Sequence, residues 1–114
     1  MSRCVRRVLV AIDRARRERL VDSATVAVVA HRCTDRTAPV AERALSGQPV
    51  TGRVFTDTVS TTVADVRRGG IEAVLDEVAE PARTWLFNTD ADSWVPPDWI
   101  SATLSAMRAA DAVA

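Results

Sequence analysis

Hydrophobic and polar residues follow two different periods along the chain, and the two periods predict alternating helices and strands. From Val5 to Ile12 apolar residues recur every three or four positions with arginines between them, which predicts an amphipathic helix over residues 4 to about 20. The next apolar run, ATVAVVA at residues 24–30, is continuous and rich in β-branched side chains, as is typical of a strand covered on both faces.

The rest of the pattern repeats this alternation. It predicts, in order, a helix from Thr37, a strand at 49–56, a helix at 60–78, a strand at 83–88 (RTWLFN) and a helix from Pro96 to about residue 109. The last residues, DAVA, look like the beginning of another strand. Strands that alternate with helices of this length predict an α/β fold, with flanking helices around a mostly parallel sheet of three to four strands. Ligands of such sheets bind beyond the carboxyl ends of the strands.

Composition narrows the function classes. The chain has 114 residues, 47% hydrophobic and 26% charged, which predicts a single globular domain. Fifteen basic and fifteen acidic residues cancel, so the overall charge gives no reason to expect nucleic acid or an anionic membrane as a partner. Two cysteines without metal-type spacing indicate free thiols and a reducing, cytoplasmic compartment.

The segment WLFNTDADSWVPPDW, residues 85–99, contains the candidate chemistry. Asp90 and Asp92 follow the predicted strand at 83–88, and residues two apart at a strand end point the same way. Both carboxylates could then reach one Mg²⁺ or Mn²⁺ ion together with the phosphates of a substrate. The alternative is a pair of solvated turn or helix-capping residues, and spacing alone leaves both interpretations open.

Three blocks of sequence resemble the family 2 glycosyltransferases, which have the GT-A fold. WLFNTDADSWVPPDWI is similar to the family segment in which a strand ends in an acid-x-acid motif and a "vPpdwl" helix start follows. VAVVAHRCTDRTAPVAERA is similar to the family's second strand and turn, and STTVADVRRGGIEAVL resembles the helix between these two segments. The blocks occur in the family's order and cover most of residues 21–114.

The resemblance implies roles for five residues. Asp90 and Asp92 would bind Mn²⁺ or Mg²⁺ and, through it, the diphosphate of a nucleoside diphosphate sugar. Arg67 matches a family arginine that lies near the diphosphate. His31 stands where the family has an acid that contacts the nucleotide, and its alternative is a plain turn residue. Asp35 matches a family acid of the same turn, where capping of the next helix is the alternative role.

The resemblance also implies an incomplete, Rossmann-like GT-A domain over residues 1–114. The family's first strand and its acceptor half, which carries the catalytic base, have no counterpart here, so we expect the donor-binding part of a longer protein. Its expected location is the cytoplasm, with the cytoplasmic face of a membrane as the alternative for a longer parent protein. Without the first strand, the strands at 24–30 and 83–88 should be direct parallel neighbours, and in solution the isolated chain should self-associate through open sheet edges or be poorly soluble.

The implied function is metal-assisted, inverting transfer of a sugar from a nucleoside diphosphate sugar to an unidentified acceptor. One alternative is a catalytically inactive nucleotide-binding or interaction module of the same fold. A metal-dependent nucleotidyltransferase is a further alternative, although its usual glycine-rich phosphate loop near the N-terminus is missing from the sequence.

Overall fold

The computed structural model describes residues 2–31, 37–90 and 93–113, with the backbone alone at 2, 31, 37 and 110–113. The elements within these ranges are α1 (Ser2–Arg17), β1 (Thr25–His31), α2 (Thr37–Leu45), β2 (Thr51–Asp57), α3 (Val63–Glu77), a 3₁₀ turn (Pro81–Arg83) and α4 (Trp99–Val113). The predicted mixed α/β class is confirmed, as are four helices and two strands, with boundaries that differ by a few residues.

The strand predicted at 83–88 is wrong. Pro81–Arg83 forms a 3₁₀ turn instead, and the residues from Thr84 to Asn88 have no regular structure. Thr84 has extended backbone angles, but an extended segment becomes a strand only when it pairs with a neighbouring strand, and none pairs with it among the described residues. The prediction that 83–88 pairs with 24–30 is therefore wrong as well.

The C-terminal strand predicted from DAVA is also wrong, because α4 continues to Val113. The sequence of α4, WISATLSAMRAADAV, contains five alanines, and alanine is the best helix former. Helix propensity therefore prevails over the weak apolar pattern at this end.

The chain divides into two compact units. The first is Thr25–Asn88, and the second combines Ser2–Ala24 with Thr89–Ala114. The single partial domain predicted over residues 1–114 stays a prediction.

The first unit contains a two-stranded parallel sheet. β1 and β2 pair in register from Thr25 with Thr51 to His31 with Asp57. Over the described residues the sheet has these two strands rather than the three to four predicted. Their parallel direction requires a crossover, and α2 provides it.

Helices cover both faces of this sheet. At one face α2 approaches so closely that a Cβ added to Gly52 would lie 3.0 Å from the Leu45 Cβ. At the other face α3 lies on β1, where a Cβ added to Gly70 would lie 3.0 Å from the Val29 Cγ2. Val29 pairs with Phe55, which is three residues from Gly52, so these two contacts are on opposite faces.

The second unit is built on α1 and α4. Its apolar core joins one face of α1 to residues of α4 and the segment before it: Cys4, Val5, Ala11, Ile12, Ala15, Val95, Ile100 and Leu104 are all buried. The opposite face of α1 is polar and exposed, as the helical period predicted. Among the residues that the structure describes, no helix has the length and apolar character needed to cross a bilayer.

Candidate functional site

A pocket of about 240 Å³ lies at the carboxyl end of β2 in the first unit. Its walls come from β1, from β2 and the loop after it, and from α3: Val29, Phe55, Thr56, Asp57, Thr58, Val59, Val66 and Gly69. This is the edge at which parallel α/β sheets bind ligands. Ligand sites commonly measure about 300–1,000 Å³, so the pocket suits one ring of a ligand rather than a whole nucleotide sugar.

The pocket combines an apolar wall with a polar rim. Val29, Phe55 and Val66 present hydrocarbon, while Thr58 and Asp57 contribute oxygen atoms at the strand end. A few polar groups at the margin of an apolar surface are the usual composition of a small-molecule site.

Gly69 keeps one side of the pocket open. A Cβ built on Gly69 would meet no atom within 4 Å, although the next residue, Gly70, packs tightly on Val29. The absence of a side chain at Gly69 therefore leaves space beside the α3 backbone, where a ligand ring can approach.

Asp57 organises the loop that leaves the pocket. Its carboxylate accepts hydrogen bonds from the Val59 N–H at 3.0 Å, from the Ser60 N–H at 2.8 Å and from the Ser60 hydroxyl. Such Asx turns redirect the chain directly after a strand. Sequence reasoning missed Asp57, although an Asp at a strand end followed three residues later by Ser is a recognisable turn signal.

The start of α3 fixes the position of the pocket's helical wall. The Thr62 hydroxyl accepts the Asp65 N–H at 3.1 Å and caps the helix. Asp65 also places a negative charge in the first turn, where the helix dipole favours it. Val66 and Gly69 therefore face the strand end from a well-defined helix terminus.

Two predicted site residues lie near this edge. His31 is the last residue of β1 and the register partner of Asp57, so the backbone brings it to the same end of the sheet. Arg67 is exposed on α3 and directly follows Val66, a residue of the pocket wall. Asp35 lies outside the described residues.

Asp90 lies in the second unit and belongs to no helix or strand, so it is not at a strand end. Its carbonyl oxygen accepts the Ser93 N–H at 3.0 Å and the Cys4 thiol at 3.4 Å, and the residue is exposed. The prediction that the Asp90 and Asp92 carboxylates point the same way requires a strand at 83–88, and that strand does not form. Asp92 lies outside the described residues, so its partnership with Asp90 stays a prediction.

The described residues alone do not assemble a metal centre. No group of three or more His, Cys, Asp or Glu side chains in this part of the chain could hold a metal ion. The predicted Mn²⁺ or Mg²⁺ site includes Asp92, so it stays a prediction.

Comparisons of the chain with protein-family models, with curated proteins and with solved structures found no match. The resemblance to family 2 glycosyltransferases therefore stays a prediction. Support for a function comes from the sequence blocks and from the local geometry of the pocket.

Proposed function

We propose that the chain binds a nucleoside diphosphate sugar and forms the donor-binding part of a family 2-like glycosyltransferase with a Rossmann-like GT-A fold. The observation that carries the proposal is the pocket at the carboxyl end of β2, in a β1–α2–β2–α3 unit with helices on both faces of a parallel sheet. Nucleotides bind at this edge in doubly wound α/β folds.

In this proposal the pocket takes one ring of the donor. Phe55 and Val66 pack against the ring, and the open side at Gly69 lets it lie close to the α3 backbone. Thr58 offers a hydroxyl that both donates and accepts, which suits a ribose or base edge. The proposal gives His31 and Asp35 the same task of nucleotide recognition.

The diphosphate is assigned to charged residues outside the pocket. Arg67 supplies positive charge, and its planar guanidinium is well suited to phosphate oxygens. Asp90 and Asp92 would hold Mn²⁺ or Mg²⁺, which neutralises diphosphate charge when bound. This part of the proposal is supported by the acid-x-acid resemblance rather than by the geometry around Asp90.

The proposal is restricted to donor binding. We assign no catalytic base and no acceptor, and sugar transfer would depend on both. A catalytically inactive nucleotide-binding module would bind the same donor, so a binding experiment tests the property that the two interpretations share.

Calorimetric titration with uridine and guanosine diphosphate sugars tests the pocket. Gly69→Leu should fill the open side and weaken donor binding by about tenfold or more, the loss expected when a ring no longer fits an apolar pocket. Ala64→Leu, at an exposed position of the same helix outside the pocket, is the matched control and should keep wild-type affinity. Equal affinities in both variants, or no binding by the wild type, would contradict the pocket assignment.

The metal is tested separately. Donor binding should require Mn²⁺ or Mg²⁺ and should be lost in Asp92→Ala, whereas Asp76→Ala removes one exposed carboxylate of α3 and should have little effect. Donor binding that is equally strong with a chelator present would remove the metal from the proposal and leave the pocket assignment intact.

A further inference from the structure

Helix α1 carries a large excess of basic over acidic residues. α1 contains six arginines and one acidic residue, Asp13, in a chain whose fifteen basic and fifteen acidic residues cancel. Although the whole chain is neutral, the second unit therefore has a strongly basic surface on α1.

The two halves of the exposed face of α1 differ in how that charge is balanced. In the C-terminal half Arg17 pairs with Asp13 at 3.0 Å, and Arg14 pairs with Glu18 at 3.8 Å. In the N-terminal half Arg3 and Arg6 are exposed, and neither forms an ion pair with any residue that the structure describes. The helix dipole disfavours positive charge at this end, so a bound anion would relieve an unfavourable interaction.

Two apolar side chains accompany these arginines. Val10 lies on the same stripe of α1 as Arg3 and Arg6, because the positions are three and four residues apart, and it is 53% exposed. Trp94 is 62% exposed, with the Arg7 guanidinium carbon 4.5 Å from the centre of its ring. We call Arg3, Arg6, Arg7, Val10 and Trp94 the basic patch.

We propose that the basic patch docks the protein on an anionic phospholipid surface. The arginines would contact the headgroup phosphates, while Val10 and the Trp94 indole would enter the interface between headgroups and acyl chains. Charge complementarity is the first argument, because anionic bilayers attract clusters of basic residues. The amphipathic indole is the second, since Trp is enriched at this depth of a membrane.

The same patch fits nucleic acid less well. The exposed Val10 side chain would make no favourable contact with a phosphate backbone, but its burial below lipid headgroups would stabilise membrane binding. Arg7 covers one of the two faces of the Trp94 ring, so only the other face could stack on an unpaired base. This surface is distinct from the donor pocket, so its test is independent of the proposed function.

The experiment is co-sedimentation of the full chain with vesicles of pure phosphatidylcholine and with vesicles of equal parts phosphatidylcholine and phosphatidylserine. Binding should be confined to the anionic vesicles and should fall at high salt. Each arginine near an anionic surface contributes about fivefold to partitioning, so Arg3→Gln/Arg6→Gln should reduce it by about 25-fold.

A matched variant tests location rather than total charge. Arg14→Gln/Arg17→Gln removes the same charge from the half of α1 that is already balanced by acids, and it should change partitioning much less. Trp94→Ala should weaken binding several-fold, whereas Trp85→Ala, an exposed tryptophan of the other unit, should not.

Loss of binding in Arg3→Gln/Arg6→Gln will not reflect unfolding if circular dichroism shows unchanged helix content. Glutamine is as good a helix former as arginine, and the dipole effect favours the change. Three results would overturn the proposal: equal binding to neutral vesicles, equal losses in both double variants, or displacement from anionic vesicles by a single-stranded oligonucleotide at comparable concentration.

Discussion

Gly69 and Gly70 are adjacent in α3 but have opposite surroundings. A Cβ on Gly69 would stand in open space, whereas a Cβ on Gly70 would press on the Val29 Cγ2 at 3.0 Å. Val29 is β-branched and belongs to a strand, so its side chain has little freedom to move aside. One glycine therefore allows close packing of helix on strand, and the other leaves room at the pocket.

This contrast predicts opposite effects of the same substitution. Gly69→Ala should raise the free energy of unfolding by about 0.5–1 kcal/mol, because alanine is the better helix former. Gly70→Ala should forfeit this gain through the overpacked contact and be less stable than Gly69→Ala by about 1 kcal/mol or more. Urea unfolding followed by circular dichroism measures both, and equal stabilisation would show that α3 can move away from β1.

Asp57 gives a second prediction for a single residue. Asp57→Ala removes the acceptor for two backbone N–H groups and the Ser60 hydroxyl, and it should lower the free energy of unfolding by about 1–2 kcal/mol. Asp57→Asn keeps one carbonyl oxygen and should lose less. Thermal unfolding measures the stability of both variants. Identical losses of stability would mean that the charge of Asp57, rather than its hydrogen bonds, is responsible.

At the scale of elements, the helix pair α1 and α4 contains the most deeply buried large side chain among the residues that the structure describes. Leu104 is 2% exposed, while Met107, one turn later in α4, is 39% exposed. Leu104→Ala should cost about 2–5 kcal/mol, and Met107→Ala should cost less than about 1 kcal/mol. Hydrogen exchange should show the loss of protection in α1 and α4, and a similar cost at both positions would contradict the packing described here.

The strands that the sequence predicted correctly are those that have a neighbouring strand with a clear apolar pattern of its own. β1 has a continuous β-branched run, and its partner β2 follows a short helix that brings the strand back in parallel. The apolar run TWLF looked equally convincing, yet its N–H and C=O groups have no neighbouring strand among the described residues. Periodicity indicates which side chains a segment can bury, but it does not indicate whether a second strand lies beside the segment.

The candidate site was predictable only in outline. The carboxyl edge of the sheet was the expected location, and His31 lies at that edge. Asp57 and Gly69 escaped notice because their importance depends on what surrounds them in three dimensions: a turn that Asp57 bridges and a gap beside Gly69. The metal-ligand role of Asp90 depends on a predicted strand at 83–88. Because that segment is irregular, the geometry does not support this role.

At the scale of the whole molecule, the small size of the sheet has a consequence for association. Two strands are marginal for independent stability, and β1 and β2 each have one edge without a partner strand among the described residues. Helices pack on the two faces of the sheet, whereas an edge without a partner strand is where another chain can add a strand.

We therefore expect the purified chain to self-associate. Sedimentation velocity should show dimers or larger species whose proportion rises with protein concentration and persists at high salt, because backbone pairing is not screened as ion pairs are. A monomer at all concentrations, with one cooperative thermal transition, would show that the exposed edges are protected in solution.

The reactivity of the buried Cys4 thiol can report local opening of the second unit. Cys4 is 7% exposed and its thiol donates to the Asp90 carbonyl oxygen, so the backbone at Asp90 lies against the sulfur. In a Cys33→Ser background this sulfur is the single thiol of the protein. The rate at which this thiol is alkylated would then measure how often Asp90 separates transiently from α1. Such local opening is not resolved by equilibrium unfolding of the whole protein.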